Sequence, residues 1–487
     1  MNKSVEYLLY FTLYTVLLLW FGKSGIKKTR NLRDFFLAGN SLGLWASVFT
    51  FTATWFSAAS MQGLTGSIFA YGLSSVWYSV IPWYLGTIFL YFLVPRLRCH
   101  NIMTLPEYFR VRYKSVALQR LGGIVIVFAF TLYMTIQIRG FGVVMSELLD
   151  IHYTLATLLV FMFIIYTTFG GLFSVARTDG LNFILIFFGV VFSAGLVLNA
   201  TGGLGQIFEQ VALIGTTPFV TAGQTVPGTM LDSFSTDAYP PLMILTGFVG
   251  WGLGFAANPQ YAIRILAAKD QKTAYKMITY SLIFLTVLYL YLIVIGLGSR
   301  VLQPTIQSIN SVDEVFPYMI NYALFSRLSG IVLIGMAAAA VSTANSQFLI
   351  LASGFTYDLF GYTVDTKLND EKMITKNRIF VLAAGTVSLI MSINPPTSLL
   401  NFGGYVYGLF AVAFLFPFYG GLFWKKANRK GALFSAYGGV LTMTIAAVLD
   451  RGLYGTPGHL IHPAFPGVIV AAILFFGFGL FSGRDAS

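Results

Sequence analysis

Apolar segments of about 20 residues, long enough to cross the hydrocarbon of a bilayer as helices, recur from Val5 to Phe481 with only short interruptions. For most of such a chain the solvent must be lipid, where backbone N–H and C=O groups have to be satisfied internally. Composition agrees: 56% of the 487 residues are apolar and 10% are charged, against roughly 25% charged in soluble domains. The expectation is an all-α membrane protein of about 13 transmembrane helices in a single domain over residues 1–487. The expected spans are 5–22, 41–71, 74–95, 118–148, 153–173, 180–200, 241–263, 277–299, 328–357, 379–395, 397–423, 431–450 and 465–482.

The net charge of +12 raises the question of a nucleic-acid partner, and the placement of the charges answers it. With the N-terminus outside, all but five of the 30 Lys and Arg residues fall in or beside cytoplasmic connections, as in Arg96, Arg98, Arg110, Arg112 and Lys114. That is the positive-inside pattern, so the charge faces anionic lipid and needs no nucleic acid. An odd number of spans then leaves the C-terminus cytoplasmic. Basic residues, not a small-residue cleavage site, follow the first apolar run, which argues for a retained span. The single Cys99 excludes a disulfide framework. No appended catalytic domain is legible, so the chain reads as a cell-membrane protein and not as an enzyme.

Three spans are unlike lipid-facing anchors. The second, over residues 49–67, is rich in small and hydroxylated residues and carries Gly63 and Gly66, which favour a local unwinding that frees backbone carbonyls. Close packing through small residues would account for the same composition. The ninth places Ser342, Thr343, Asn345 and Ser346 within about one turn of an alanine run. Hard cations need several neutral or anionic oxygens in a compact arrangement, and the Ser342 and Thr343 hydroxyls plus carbonyls from a broken second span supply them for a monovalent ion. Hydroxyls bonded back to their own preceding turn are the alternative. The seventh holds four glycines between 247 and 254, and Pro259, which make an unbroken helix untenable. Two interrupted helices five spans apart are what a transporter built from two inverted five-helix repeats shows.

The chain resembles the sodium:solute symporter family, whose members take up proline, pantothenate, monocarboxylates, sialic acid and sugars. The resemblance lies in segments starting at Asp34 (DFFLAG), Thr104 (TLPEYF), Gly170 (GGLFSVARTD), Arg264 (RILAAK) and Ala339 (AAVST). It implies a leucine-transporter-type 5+5 inverted repeat, with residues 1–40 as an extra helix and loop, 41–200 and 241–423 as the repeats, and 424–487 as C-terminal helices. It further implies a sodium site from the carbonyls of Ala53, Phe56 and Ala339 and the hydroxyls of Ser342 and Thr343. A few members hold a second sodium, which here would involve Asp179 with Ser342, Asn345 and Ser346; Asn345 departs from the serine expected there. Asp179 alternatively pairs with Arg177 or caps a helix beginning near Gly180. Trp55 stands where proline symporters carry Asp, which argues against proline.

The solute is expected between the unwound parts of the second and seventh spans. Its candidate contacts are Ser57, Ser60 and Gln62, Tyr78, Gln137, and Trp251 and Asn258, each of which is equally compatible with packing. Arg139 is the one basic residue placed within a span, and a charge at that depth is functional or paired. Its readings are a bidentate contact to a substrate carboxylate, a pair with an acid such as Asp179, or snorkelling. The function read from all this is sodium-coupled symport into the cell of a small organic solute, a carboxylate-bearing metabolite. Proton-coupled symport of a neutral amino acid or sugar, and a non-transporting membrane sensor, are the alternatives.

Overall fold

A computed structural model describes residues 3–26, 29, 31–159, 171–215, 228–234, 239–360, 370–394, 397–454 and 460–481. Among these, nine helices are long and apolar enough to cross a membrane, and two shorter apolar helices, Ile379–Ile393 and Ala464–Leu480, accompany them. The expected second span is present as Leu44–Trp55 and Thr65–Tyr71 joined by an irregular stretch. The fifth begins at Tyr153, and its remainder from 160 to 170 lies outside the described residues. The sixth span runs over Gly171–Thr201, nine residues earlier than expected, so Asp179 is inside a helix and caps nothing at Gly180.

Burial follows from which helices meet lipid. The first span, Lys3–Ile26, turns Leu8, Leu9, Leu13, Val16 and Trp20 outward, an apolar surface that needs no protein partner in a bilayer. The ninth, Ser329–Ser353, is buried along its whole length and is the central pillar, packed against the fourth and sixth spans and the first half of the second. Its alanines and serines allow this, because small side chains let helix backbones approach closely.

The breaks fall where the backbone loses its helical partner. Leu44–Trp55 ends at Phe56 (φ −81°, ψ 91°), and a wide, π-type turn over Ala59–Leu64 follows. The second span is therefore opened at 56–58 and not at its glycines. Gly63 and Gly66 serve close approach instead: a Cβ on Gly66 would stand 1.8 Å from the Val312 carbonyl oxygen. In the seventh span Pro241–Gly247, a wide turn over Phe248–Leu253 and Gly254–Ala257 lead to a break at Asn258 (ψ 124°). Pro259 then opens the second half-helix, Pro259–Ala267, at the position where a missing N–H costs nothing.

The two broken spans are tied together at one end. Leu42 N–H donates to the Ala267 carbonyl (3.1 Å) and Lys269 N–H to the Leu42 carbonyl (3.0 Å). Arg98 Nη1, at the end of the third span, donates to the carbonyls of Ile265 (2.6 Å) and Ala268 (2.7 Å). Three helix ends thus share one hydrogen-bonded knot.

Candidate functional site

The opening at 56–58 leaves the last carbonyls of Leu44–Trp55 without their usual donors four residues on. Ala58 N–H turns instead to Gln137 Oε1 (3.4 Å). The ninth span answers the freed carbonyls: Ser342 Oγ donates to the Ala53 carbonyl at 2.8 Å and lies 3.1 Å from the Ala339 carbonyl of its own preceding turn. Thr343 Oγ1 stands 3.5 Å from the Ala53 oxygen and 3.3 Å from that of Thr54. Back-bonding to the helix therefore accounts for part of Ser342 and none of Thr343. Phe56, at the break, directs its carbonyl away from the helical course.

Ala53, Ala339, Ser342 and Thr343 are thus gathered on one buried interface. Around a hard cation with ligands 2.3–2.6 Å from its centre, neighbouring octahedral oxygens stand about 3.3–3.7 Å apart. Ser342 Oγ would move about half an ångström from the Ala53 oxygen (2.8 Å) and a few tenths from that of Ala339 (3.1 Å), with its proton turned outward, while Thr343 Oγ1 already stands at such a distance from Ala53 (3.5 Å). A donor set of neutral oxygens fits a monovalent hard cation.

Toward the start of the sixth span lies a second polar layer. Asp179 is fully buried, and its Oδ2 accepts from Thr50 Oγ1 at 2.6 Å. Ser346 Oγ lies 2.9 Å from Thr54 Oγ1, and Arg264 reaches both: Nη2 donates to Thr54 Oγ1 at 3.0 Å and to Ser346 Oγ. Arg264 is 1% exposed within Pro259–Ala267. Arg139 is therefore not the one basic residue within a span, because the seventh span continues past its expected end at 263 to Ala267. Asn345 is buried beside this layer.

The residues expected around the solute are all buried, and most are already engaged. Ser57 Oγ stands 3.4 Å from Tyr133 OH, Ser60 Oγ 3.3 Å from Tyr289 OH, and Gln62 Nε2 donates to the Gly140 carbonyl (2.9 Å). Asn258 accepts from Gln260 N–H (3.0 Å), so its side chain is occupied as the cap of Pro259–Ala267. Tyr78 stacks on Tyr239 at 4.5 Å, and Trp251 packs between Trp83 (5.2 Å) and Tyr407 (5.0 Å). Trp55, Phe255 and Tyr261 continue this wall, and Tyr261 and Tyr407 share a hydroxyl hydrogen bond of 2.7 Å. Buried donors at Trp55 Nε1, Trp83 Nε1 and Gln137 Nε2, and acceptors at Gln62 Oε1 and Gln260 Oε1, have no hydrogen-bond partner among the described residues. Such a cluster calls for an explanation, and a polar solute between aromatic faces is one.

Arg139 meets an acid other than the one expected. Its Nε lies 3.5 Å from Oδ2 of Asp313, in the segment between the eighth and ninth spans, and its guanidinium faces the Tyr153 ring. Asp313 also accepts from Leu399 N–H at the start of the eleventh span (3.2 Å). Burial pushes the Asp313 carboxyl above the usual carboxylate range, with Arg139 opposing.

Sequence reasoning missed Asp313, Tyr133, Tyr289, Tyr407 and the reach of Arg264. A tyrosine in an apolar helix gives no sign of which way it faces: Tyr289 is buried in the site while Tyr280, in the same helix, is half-buried among peripheral rings.

The chain is 25% identical over 480 residues to the osmoregulated proline transporter OpuE of Bacillus subtilis (strain 168), covering 96% of this chain and 94% of the relative. It is 25% identical over 492 residues to a sodium/proline symporter of Staphylococcus aureus (strain bovine RF122 / ET3-1), covering 97% and 92%. Among solved structures, a substrate-bound outward-open Na+-coupled sialic acid symporter superposes with a TM-score of 0.77 at 19% identity, covering 99% of each chain. Mhp1, a nucleobase-cation-symport-1 family transporter in a closed conformation, does so at 0.56 and 14% identity, covering 93% of this chain and 96% of that one. These likenesses show the leucine-transporter-type fold. The model of the sodium:solute symporter family matches residues 35–439, and the chain belongs to that family of sodium-coupled solute symporters.

Proposed function

We propose that this protein is a cell-membrane symporter, N-terminus outside and C-terminus cytoplasmic, that uses the sodium gradient to take up a small carboxylate-bearing solute. The observation that carries the coupling is the interface of Ser342 and Thr343 with the carbonyls freed at Ala53 and Thr54. A sodium ion held there by Ala53, Phe56, Ala339, Ser342 and Thr343 ties the broken second span to the ninth. Residues 41–200 and 241–423 act as the two inverted repeats, and the interface opens when they rock apart. Sodium then favours the conformation that receives solute, and this shared dependence is the coupling.

Three features support the carboxylate. The half-helix after the break presents its N-terminal end, with Ala58 N–H weakly held, and such ends favour anionic groups. Gln137 Nε2 and Trp55 Nε1 are spare donors beside it. The relatives transport proline and the structural neighbour sialic acid, both of which carry that group. Arg139, two residues beyond Gln137, exchanges Asp313 for the substrate carboxylate as the outer side opens. Ser57, Ser60, Gln62, Tyr78 and Trp251 line the solute, and Asn258 shapes its floor.

The test is uptake by proteoliposomes of labelled proline, short monocarboxylates, a neutral sugar and a cationic amino acid, under a sodium gradient at fixed pH and under a proton gradient without sodium. Sodium-driven accumulation of a carboxylate is the expected result. Accumulation driven by protons alone, or of the uncharged sugar alone, refutes the coupling or the substrate class respectively. Solute binding without accumulation refutes symport.

A further inference from the structure

Past Ser353 the ninth span continues into a wide turn over Gly354–Leu359, and there Asp358 is fully buried. Its Oδ1 accepts from Thr104 Oγ1 (2.6 Å), the cap of the helix Leu105–Tyr113 that follows the third span, and from Gln119 Nε2 at the start of the fourth span, Val116–Leu149 (3.1 Å). Asp358 Oδ2 and Gln119 Oε1 have no hydrogen-bond partner among the described residues. The backbones close tightly here: a Cβ on Gly123 would stand 2.9 Å from the Gly354 carbonyl oxygen and 3.0 Å from Asp358 Cβ.

Among the described residues no base answers Asp358. The ion pair at this junction joins Arg110 to Glu107 (3.4 Å), and Glu107 also accepts from Tyr357 OH (2.7 Å) and Met103 N–H (2.6 Å). Arg120 of the fourth span and Lys376 of the tenth are exposed. A buried carboxyl group without a counter-charge takes up a proton sooner than stay ionised.

We infer that Asp358 holds a proton, shared between its Oδ2 and Gln119 Oε1, and that this proton-binding site joins the fourth and ninth spans. A carboxylic acid and an amide are planar groups that can pair through two hydrogen bonds, the amide N–H to one oxygen and the acid O–H to the amide oxygen. The first bond is present, and one proton gives both spare oxygens a partner at once. Turning the amide over leaves the number of protons unchanged. A hard cation would need about six oxygens, and two are spare here, with Thr104 and Glu107 already engaged. On unfolding, Asp358 meets water and releases its proton at neutral pH, so acid strengthens this junction and alkali weakens it.

The experiment is infrared spectroscopy of the purified protein in the C=O stretching region of protonated carboxylic acids, with melting temperatures measured across pH on the same preparations. D358N keeps the pairing, because the Asn amide donates an N–H to Gln119 Oε1 where the acid donates its O–H, and it cannot titrate. The wild-type spectrum minus that of D358N should contain one acid band that shifts in heavy water. The melting temperature of wild type should fall relative to that of D358N as pH rises above the ordinary carboxylate range, about 4. An ionised-carboxylate band in place of the acid band, or a constant melting difference, overturns the inference. So does an acid band that disappears when sodium is added, since a cation would then occupy the pair. If D358N does not fold, Q119L decides: removing the amide should move the wild-type acid band, and an unmoved band overturns the inference.

Discussion

Ser342→Ala separates an ion ligand from a structural hydroxyl. Ser342 Oγ makes one contact across to the second span at Ala53 (2.8 Å) and one to its own helix at Ala339 (3.1 Å). A neutral hydrogen bond contributes about 1 kcal/mol net, so the variant loses about that much packing stability. For the ion the loss is larger. The hydroxyl is one of five proposed oxygens, and an interaction with a charged group contributes about 1.5–3 kcal/mol. At about 1.4 kcal/mol per tenfold, the half-saturating sodium concentration rises by about 10- to 100-fold. The control sits on the same helix: Ser353 Oγ donates to the Ile350 carbonyl in its own turn, so Ser353→Ala should leave sodium dependence within about twofold while costing similar stability. The assay is initial uptake into proteoliposomes against external sodium at saturating solute, with melting temperature measured on the same preparations. A folded S342A with wild-type sodium dependence, or equal shifts in S342A and S353A, would refute the placement of the ion.

Two further outcomes follow from the Arg139–Asp313 pair and one from packing. Asp313→Asn removes the charge facing Arg139 but keeps an acceptor for Leu399 N–H, and the proposed outward opening should be easier, raising the rate at which a cysteine in place of Ser57, close to it in size, is labelled by an external thiol reagent; unchanged labelling would show that the pair is no latch. Because burial raises the folded-state pKa of Asp313, the folded chain binds the proton more tightly, so this group favours folding at low pH and the contribution is lost as pH rises through the folded value. The melting temperatures of wild type and D313N should therefore converge as the pH falls below the folded value of Asp313, and a constant difference would contradict the sign. Gly66→Ala places a Cβ 1.8 Å from the Val312 oxygen, and overpacking of this kind costs about 1–3 kcal/mol. Gly195→Ala, with nothing within 4 Å, should be neutral or stabilising by up to about 1 kcal/mol; equal melting temperatures for the two variants would refute the packing reading.

The sequence alone determined the solvent, the helical class and the places where helices fail. Runs of apolar residues interrupted by basic clusters leave a membrane bundle as the available fold, and hydroxyls grouped in the alanine-rich ninth span have no purpose in lipid. Pro259 marks its break by chemistry that acts within a few residues, which is why it was legible. The second break was not: Gly63 and Gly66 suggested it, yet the chain opens at Phe56, because those glycines answer neighbours distant in sequence, the Leu400 and Val312 backbones. Tertiary structure decided which charges meet. Arg139 and Asp313 are far apart in sequence, as are Arg264, Thr54 and Ser346, and electrostatic pairing depends on distance through space, which no local pattern of residues encodes. It also decided which aromatic rings turn inward, since helical periodicity carries little facing information when lipid and protein interior are equally apolar.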